Sequence, residues 1–386
     1  MEDYAELLTK NTRTNRMNLL VQYTIIIVDI LLLGLFLKNG FGLFSILFFL
    51  IIVFISSYGN ILFLKKRRLE TFDVIGKYSS EEVREIISGI FSNINKKEKP
   101  NIYIISSSAV NAFVTESIIK GIAPLNGLYL SEDLFTNLKT EELKSVIYHE
   151  LGHYYYFMSP FSKNILPLDI FSVLFPFFLF LMLELKSIFS LFFLVFSFSA
   201  FVRYLTFKNI KDNEYLSDFF SAQKNGLLHI VNGLIVVSKI NEIDNKIVRY
   251  LVERITRDKQ RLSFQDFDFY YETLRKEIPY EFQNFDEISE LIDNFLYDGS
   301  DEDIPEINKE SYYYQEIEGW EKFDLNHDFR ISEEEYPLLI ETLINNELNE
   351  TAEQKVLDER YNITHPSLKN RILFLEDNKE YLEFNM

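Results

Sequence analysis

Four stretches of the chain are almost free of polar residues for about 20 positions each: Leu19–Leu37, Phe41–Leu64, Asn164–Leu183 and Ser187–Phe207. A helix needs about that length to cross a hydrocarbon core of about 30 Å, so the pattern predicts four transmembrane helices. Lys38-Asn39-Gly40 joins the first two and Glu184-Leu185-Lys186 the second two. Links so short make each pair a hairpin. Basic residues gather at Lys10, Arg13 and Arg16, at Lys65–Arg68, and at Arg203, Lys208 and Lys211. The positive-inside rule places these clusters, and both termini, on the cytoplasmic side of the cell (inner) membrane. The first apolar run leads into a second span without a small-residue cleavage site, so it reads as an anchor and not as a signal peptide. Gln22, Asp29 and Asp169 lie within or at the ends of spans, as interhelical contacts or interfacial groups.

Between the hairpins the pattern changes period. Ser79-Ser80-Glu81-Glu82 opens a helix that runs to about Phe91, and Asn101–Ser106 reads as a strand. Val110–Thr115 and Gly127–Ser131 follow as shorter extended pieces, and after Asn137 a helical pattern returns with Thr140 as its N-cap and Glu141 and Glu142 in its first turn. Residues 231–361 are mostly helical in pattern, with Asp298–Glu306 as the most loop-like stretch.

Charge divides the chain in two. Residues 1–230 hold 22 Lys/Arg and 21 Asp/Glu, and residues 231–386 hold 17 and 37, so the halves carry +1 and −20. A strongly acidic half repels phosphate backbones, which argues against nucleic acid as a partner. The absence of a glycine-rich phosphate loop argues against a nucleotide. With no cysteine in the chain, any metal must be held by nitrogen and oxygen.

Only five histidines occur in the 386 residues, and two of them, His149 and His153, form an HExxH motif with Glu150. This spacing sets both imidazoles on one helical face one turn apart, with the carboxylate beside them. Neutral histidines bind Zn²⁺, and Glu150 is placed to act as a general base on water. Glu214 opens a helix directly after the fourth span and would complete a His₂Glu set. Asp218, one turn further on, would accept the free N–H of a ligand histidine. His229 lacks polar company and reads as an ordinary surface or core histidine.

At these residues the chain resembles the HtpX-like membrane zinc proteases and, more distantly, the CAAX prenyl proteases. Asn111-Ala112-Phe113 resembles the family's edge strand, His149–His153 its HExxH, Glu214–Asp218 its Glu-x-x-x-Asp, and Thr364-His365-Pro366 through Arg371-Ile372 its C-terminal motif. The hairpins are interleaved with these motifs as in that family. The resemblance covers roughly residues 10–235 and 362–376.

Pattern and resemblance together give a mainly α membrane protein: four transmembrane helices, a gluzincin-like α+β zinc protease domain and, where residues 241–360 match nothing in that family, a helical acidic C-terminal insert. The expected division is an N-terminal segment and first hairpin (1–68), a first catalytic segment with HExxH (69–163), the second hairpin (164–207), a second catalytic segment with the third ligand (208–240), the acidic insert (241–361) and a C-terminal catalytic segment (362–386). The resemblance further implies a zinc-dependent endopeptidase acting on misfolded or membrane proteins at the cytoplasmic face. Asn111, Ala112 and Phe113 would pair with an extended protein or peptide substrate, and His365 or Arg371 would stabilise the developing oxyanion. For those two the residues themselves leave another reading open: Thr364 capping a helix with Pro366 in its first turn, and Arg371 in a structural ion pair. The competing functional readings are a CAAX-type prenyl protease, weakened by only four spans, and a non-catalytic scaffold or calcium-responsive binder.

The calcium reading comes from Asp324–Glu335. Asp324, Asn326 and Asp328 stand at positions 1, 3 and 5 of a 12-residue EF-hand pattern, with Arg330 at 7, Ser332 at 9 and Glu335 at 12. Glu316–Phe323 and Glu334–Leu343 read as flanking helices. Against Ca²⁺, position 6 is Phe329 where the turn favours glycine, and no second loop of this spacing is visible in the chain.

Overall fold

The computed structural model describes residues 3–38, 42–105, 111–117, 121–163, 165–184, 187–207, 210–257, 264–277, 322–349 and 366–383. Helix α1 spans Tyr4–Lys38, 35 residues or about 52 Å at 1.5 Å per residue. It therefore starts well before the apolar run that marks the first span in the sequence. Helices α2 (Leu43–Phe63), α7 (Ile165–Met182) and α8 (Ile188–Phe207) are the other three apolar helices. Among the described residues three helices, α1, α2 and α7, are long and apolar enough to cross a membrane. Helix α8 is 20 residues long, and its described apolar stretch is Phe189–Val202. Ile25, Phe161, Leu168 and Val202 pack together inside this group, whereas Leu20, Ile27, Phe48 and Phe196 are turned outward, as lipid-facing residues would be. Asp169 is an interhelical contact, accepting a hydrogen bond from Ser57 of α2 at 2.6 Å.

The remaining elements build one domain beside these helices. Strand β1 (Lys66–Arg68) follows α2, and β2 (Val74–Ile75) pairs with β3 (Tyr78–Ser79). Helix α3 (Ser80–Ile94) starts where the sequence predicts, because Ser79 and Glu82 close a reciprocal capping box. Strands β4 (Asn101–Ile105), β5 (Ala112–Thr115) and β6 (Gly127–Ser131) join β1 in a sheet of order β1-β4-β6-β5, with β4 and β6 parallel and the other pairs antiparallel. Strand β5 is thus an edge.

Helix α4 (Glu132–Asn137) leads to α5 (Thr140–Gly152), a π-turn (His153–Phe157) and the short α6 (Pro160–Lys163). The N-cap of α5 is Lys139 and not Thr140: Lys139 is extended, and its N–H is taken by the Glu142 carboxylate at 2.8 Å, so Thr140 is already helical.

After the apolar helices come α9 (Ile210–Asn225), α10 (Leu227–Arg257) and α11 (Phe264–Glu277), then α12 (Tyr336–Asn349), α13 (Leu368–Asp377) and α14 (Lys379–Glu383). Helix α10 runs unbroken through the boundary expected at 240, its apolar face continuing through Ile240, Ile243, Ile247 and Leu251, all buried. One hydrophobic core holds Leu7 of α1, Ile87 of α3, Ile147 of α5, Leu216 of α9, Ile331 and Leu339 near α12, and Ile372 of α13. The described part of the acidic insert therefore belongs to the same core as the HExxH helix.

Candidate metal centre

Helices α5 and α9 carry the centre, and small residues let them approach. A side chain on Gly152 would meet Ser217 and Phe220 of α9 at 3.3 Å. Ser221 Oγ donates to the Ser145 carbonyl at 2.7 Å, and Asn225 Nδ2 donates to Glu141 O and to Ser145 Oγ. These contacts fix the axial position of Glu214, which lies one, two and three turns before Asp218, Ser221 and Asn225 on the same face of α9.

The resulting geometry is compact. His149 Nε2 and His153 Nε2 are 3.1 Å apart, and Glu214 brings one oxygen to 3.5 Å from the first and the other to 3.2 Å from the second. Among the described residues this is the one group of His and Asp/Glu ligand atoms close enough together to hold an ion. Ligands at 2.0–2.1 Å around a tetrahedral ion stand about 3.3 Å apart, so the donor set fits zinc in both chemistry and size.

The ring nitrogens turned away from this point are also engaged. His149 Nδ1 donates to Asp218 Oδ1 at 2.8 Å, and His153 Nδ1 lies 3.1 Å from Ser217 Oγ. The Asp218 carboxylate accepts only, so it holds the proton of His149 on Nδ1 and presents the Nε2 lone pair, while the Ser217 hydroxyl fixes the orientation of the His153 ring. Asp218 has no exposed surface and is gripped by Arg371, whose Nε and Nη2 each donate to it at 2.6 Å. Burial would raise the Asp218 carboxyl, but Arg371 and His149 outweigh it and hold the group below the ordinary carboxylate range. His149 lies below the usual imidazole range because burial disfavours its cation. His153 lies above it, because Glu214 and Glu150 outweigh the same effect of burial. Glu150 is buried beside them.

Residues 78–229 match the model of Peptidase family M48. This stretch is a Peptidase M48 family domain. The family takes in the HtpX-like and CAAX proteases that the motifs resemble and implies a metallopeptidase, and His149, His153 and Glu214 are positioned to bind a metal. No curated protein and no solved structure matches the chain.

Other residues singled out in the sequence fall in and around the M48 domain. Asn111 enters edge strand β5, its N–H bonded to Ser131 Oγ at 3.0 Å. Ala112 and Phe113 pair with Leu130 and Tyr129 of β6, and helix α5 lies against the same strand. Arg371 is in the ion-pair arrangement, committed to Asp218 and 3.5 Å from Glu214. His365 lies outside the described residues. Ser217 and Asn213, both buried against the ligands, gave no signal in the sequence beyond their nearness to Glu214.

The Asp324–Glu335 loop does fold as one turn, with Phe329 in the left-handed region at φ 61° as position 6 requires. Its acceptors, however, face its own backbone. Glu335 takes the N–H groups of Leu325, Asn326 and Ser332, and Asp324 those of Asp328 and Phe329. For Glu335, burial works against ionisation, yet these amides outweigh it and set the carboxyl below its ordinary value. The expected helix after the loop begins at Tyr336 and not at Glu334, because residues 333–335 form the turn that returns Glu335 to the loop. The preceding helix lies, but for Lys322 and Phe323, outside the described residues. Arg330, whose backbone carbonyl is the group expected at position 7, buries its side chain against Glu142 of α5.

Proposed function

We propose that the protein is an integral membrane zinc endopeptidase of the HtpX-like kind, hydrolysing peptide bonds of misfolded or membrane proteins at the cytoplasmic face, with α8 as a fourth crossing. The observation that supports it most is the convergence of His149, His153 and Glu214 on one point beside Glu150, next to apolar helices. Zinc bound there would polarise the scissile carbonyl and acidify water. Glu150 would take the proton from that water and pass it to the leaving amine. Asp218 holds His149 in the tautomer that presents Nε2, Ser217 orients the His153 ring, and Arg371 holds Asp218 ionised. The edge of β5 at Asn111–Phe113 would receive an extended substrate backbone as an added strand.

A non-catalytic scaffold would have no use for a buried Glu150 beside two oriented imidazoles. The test is cleavage of an unfolded protein such as casein by the purified protein in detergent. Cleavage should stop on chelation and return with zinc; cleavage indifferent to a chelator would refute the proposal.

A further inference from the structure

The stretch of α1 that precedes the membrane is fitted to the metal centre by a seam of amides. Positions 11, 15, 18, 22, 25, 29 and 32 alternate in spacings of four and three, which is the repeat of a helix that keeps one face against a partner. They are Asn, Asn, Asn, Gln, Ile, Asp and Leu. Apolar residues would bury more favourably here, so the use of amides calls for a reason. A buried amide costs free energy unless it is bonded, and a bonded one admits only a single register.

The bonds made by Asn11 and Asn15 reach both halves of the centre. Asn11 is buried, and its Nδ2 donates to Asn213 Oδ1 at 2.5 Å. Asn213 is the residue directly before Glu214. Asn15 Nδ2 donates to Asn11 Oδ1 at 2.9 Å and reaches the Phe157 carbonyl at 3.5 Å. Phe157 closes the π-turn that begins at His153. Two side chains on α1 thus bridge from the turn carrying His153 to the turn carrying Glu214. Around the bridge, Tyr4 stacks on Phe219 of α9 at 3.8 Å, and Lys10 pairs with Asp212 at 3.3 Å.

We infer that Asn11 and Asn15 are positioning residues, which hold the Glu214 half of the centre at ligand distance from the histidine half and so couple the membrane anchor to metal affinity. The inference rests on the metallopeptidase reading and extends it to residues outside the M48 domain, which begins at residue 78.

The experiment is zinc affinity, by chelator competition, of the full-length protein in detergent below its melting temperature. Asn11→Leu keeps a side chain branched at Cγ and removes the bridge. It should raise the zinc Kd by tenfold or more, the scale on which groups behind metal ligands act. Asn18→Leu, whose amide reaches Ser159 and not the bridge, should leave the Kd within about twofold. Asn11→Leu with Asn213→Leu should cost no more than either change alone. Should Asn11→Leu fail to fold, Asn11→Ser removes the same contact and keeps a polar side chain. Wild-type zinc affinity in the Asn11 variants would overturn the inference and leave the metallopeptidase reading intact. A wild-type protein that takes up no zinc would overturn both.

Discussion

At the level of single residues, the candidate ligand set was legible because histidine is scarce and HExxH has a fixed spacing. Glu214 was legible because two apolar runs return the chain to the same side. Ser217 was not: a serine on a helix has no pattern, and its role appears only when α9 is laid on α5. In the proposed mechanism Glu150 is the residue that separates binding from chemistry. Glu150→Gln should leave zinc content unchanged and abolish casein cleavage, since the amide keeps the shape and loses the base; cleavage near the wild-type level would contradict that role. Glu335 offers a test by pH. Its folded-state pKa is depressed, so its contribution is fully present above the unfolded glutamate value of about 4.3 and is lost as pH falls through the lower folded value. Glu335→Gln should therefore lower the melting temperature at pH 7, and the gap to wild type should close in acid below that folded value. A gap that persists there unchanged would show that the backbone amides do not depend on the charge.

Among the elements, α3, β4, β5 and β6 followed their sequence patterns because local capping and alternation decide them. The start of α1 did not, because a seam of asparagines has no hydrophobic period and its basic neighbours looked like a membrane flank. The docking of the Asp324–Glu335 loop was likewise hidden, since Arg330 and Glu142 are 188 residues apart. Arg330 ties the loop to the first turn of α5, and Asn232 of α10 both donates to the Ile331 carbonyl at 2.9 Å and accepts its N–H at 2.8 Å. Removing one partner of a buried ion pair costs roughly 3–5 kcal/mol, whereas replacing both by apolar residues of similar volume is often neutral. Arg330→Ala should destabilise by that amount, and Arg330→Met with Glu142→Leu should recover most of it in thermal melts. Equal losses for the single and double variants would mean that the pair does not act as a unit.

For the molecule as a whole, the acidic half and the apolar half meet in one core, and Arg371 of the acidic half reaches Asp218 behind the candidate metal centre. The cytoplasmic orientation rests on the basic clusters and is open to direct test, because the chain has no cysteine. Leu325 is 65% exposed, so Leu325→Cys should react with an impermeant maleimide only after cells are opened. Labelling of intact cells would place the domain outside.

The central claim is that His149, His153 and Glu214 hold one zinc ion. Metal analysis of the detergent-purified chain should find about one zinc per molecule in the wild type, and the metal should be lost in His149→Ala with His153→Ala and reduced in Glu214→Ala. No zinc in the wild type, or zinc retained in full by these variants, would contradict the account.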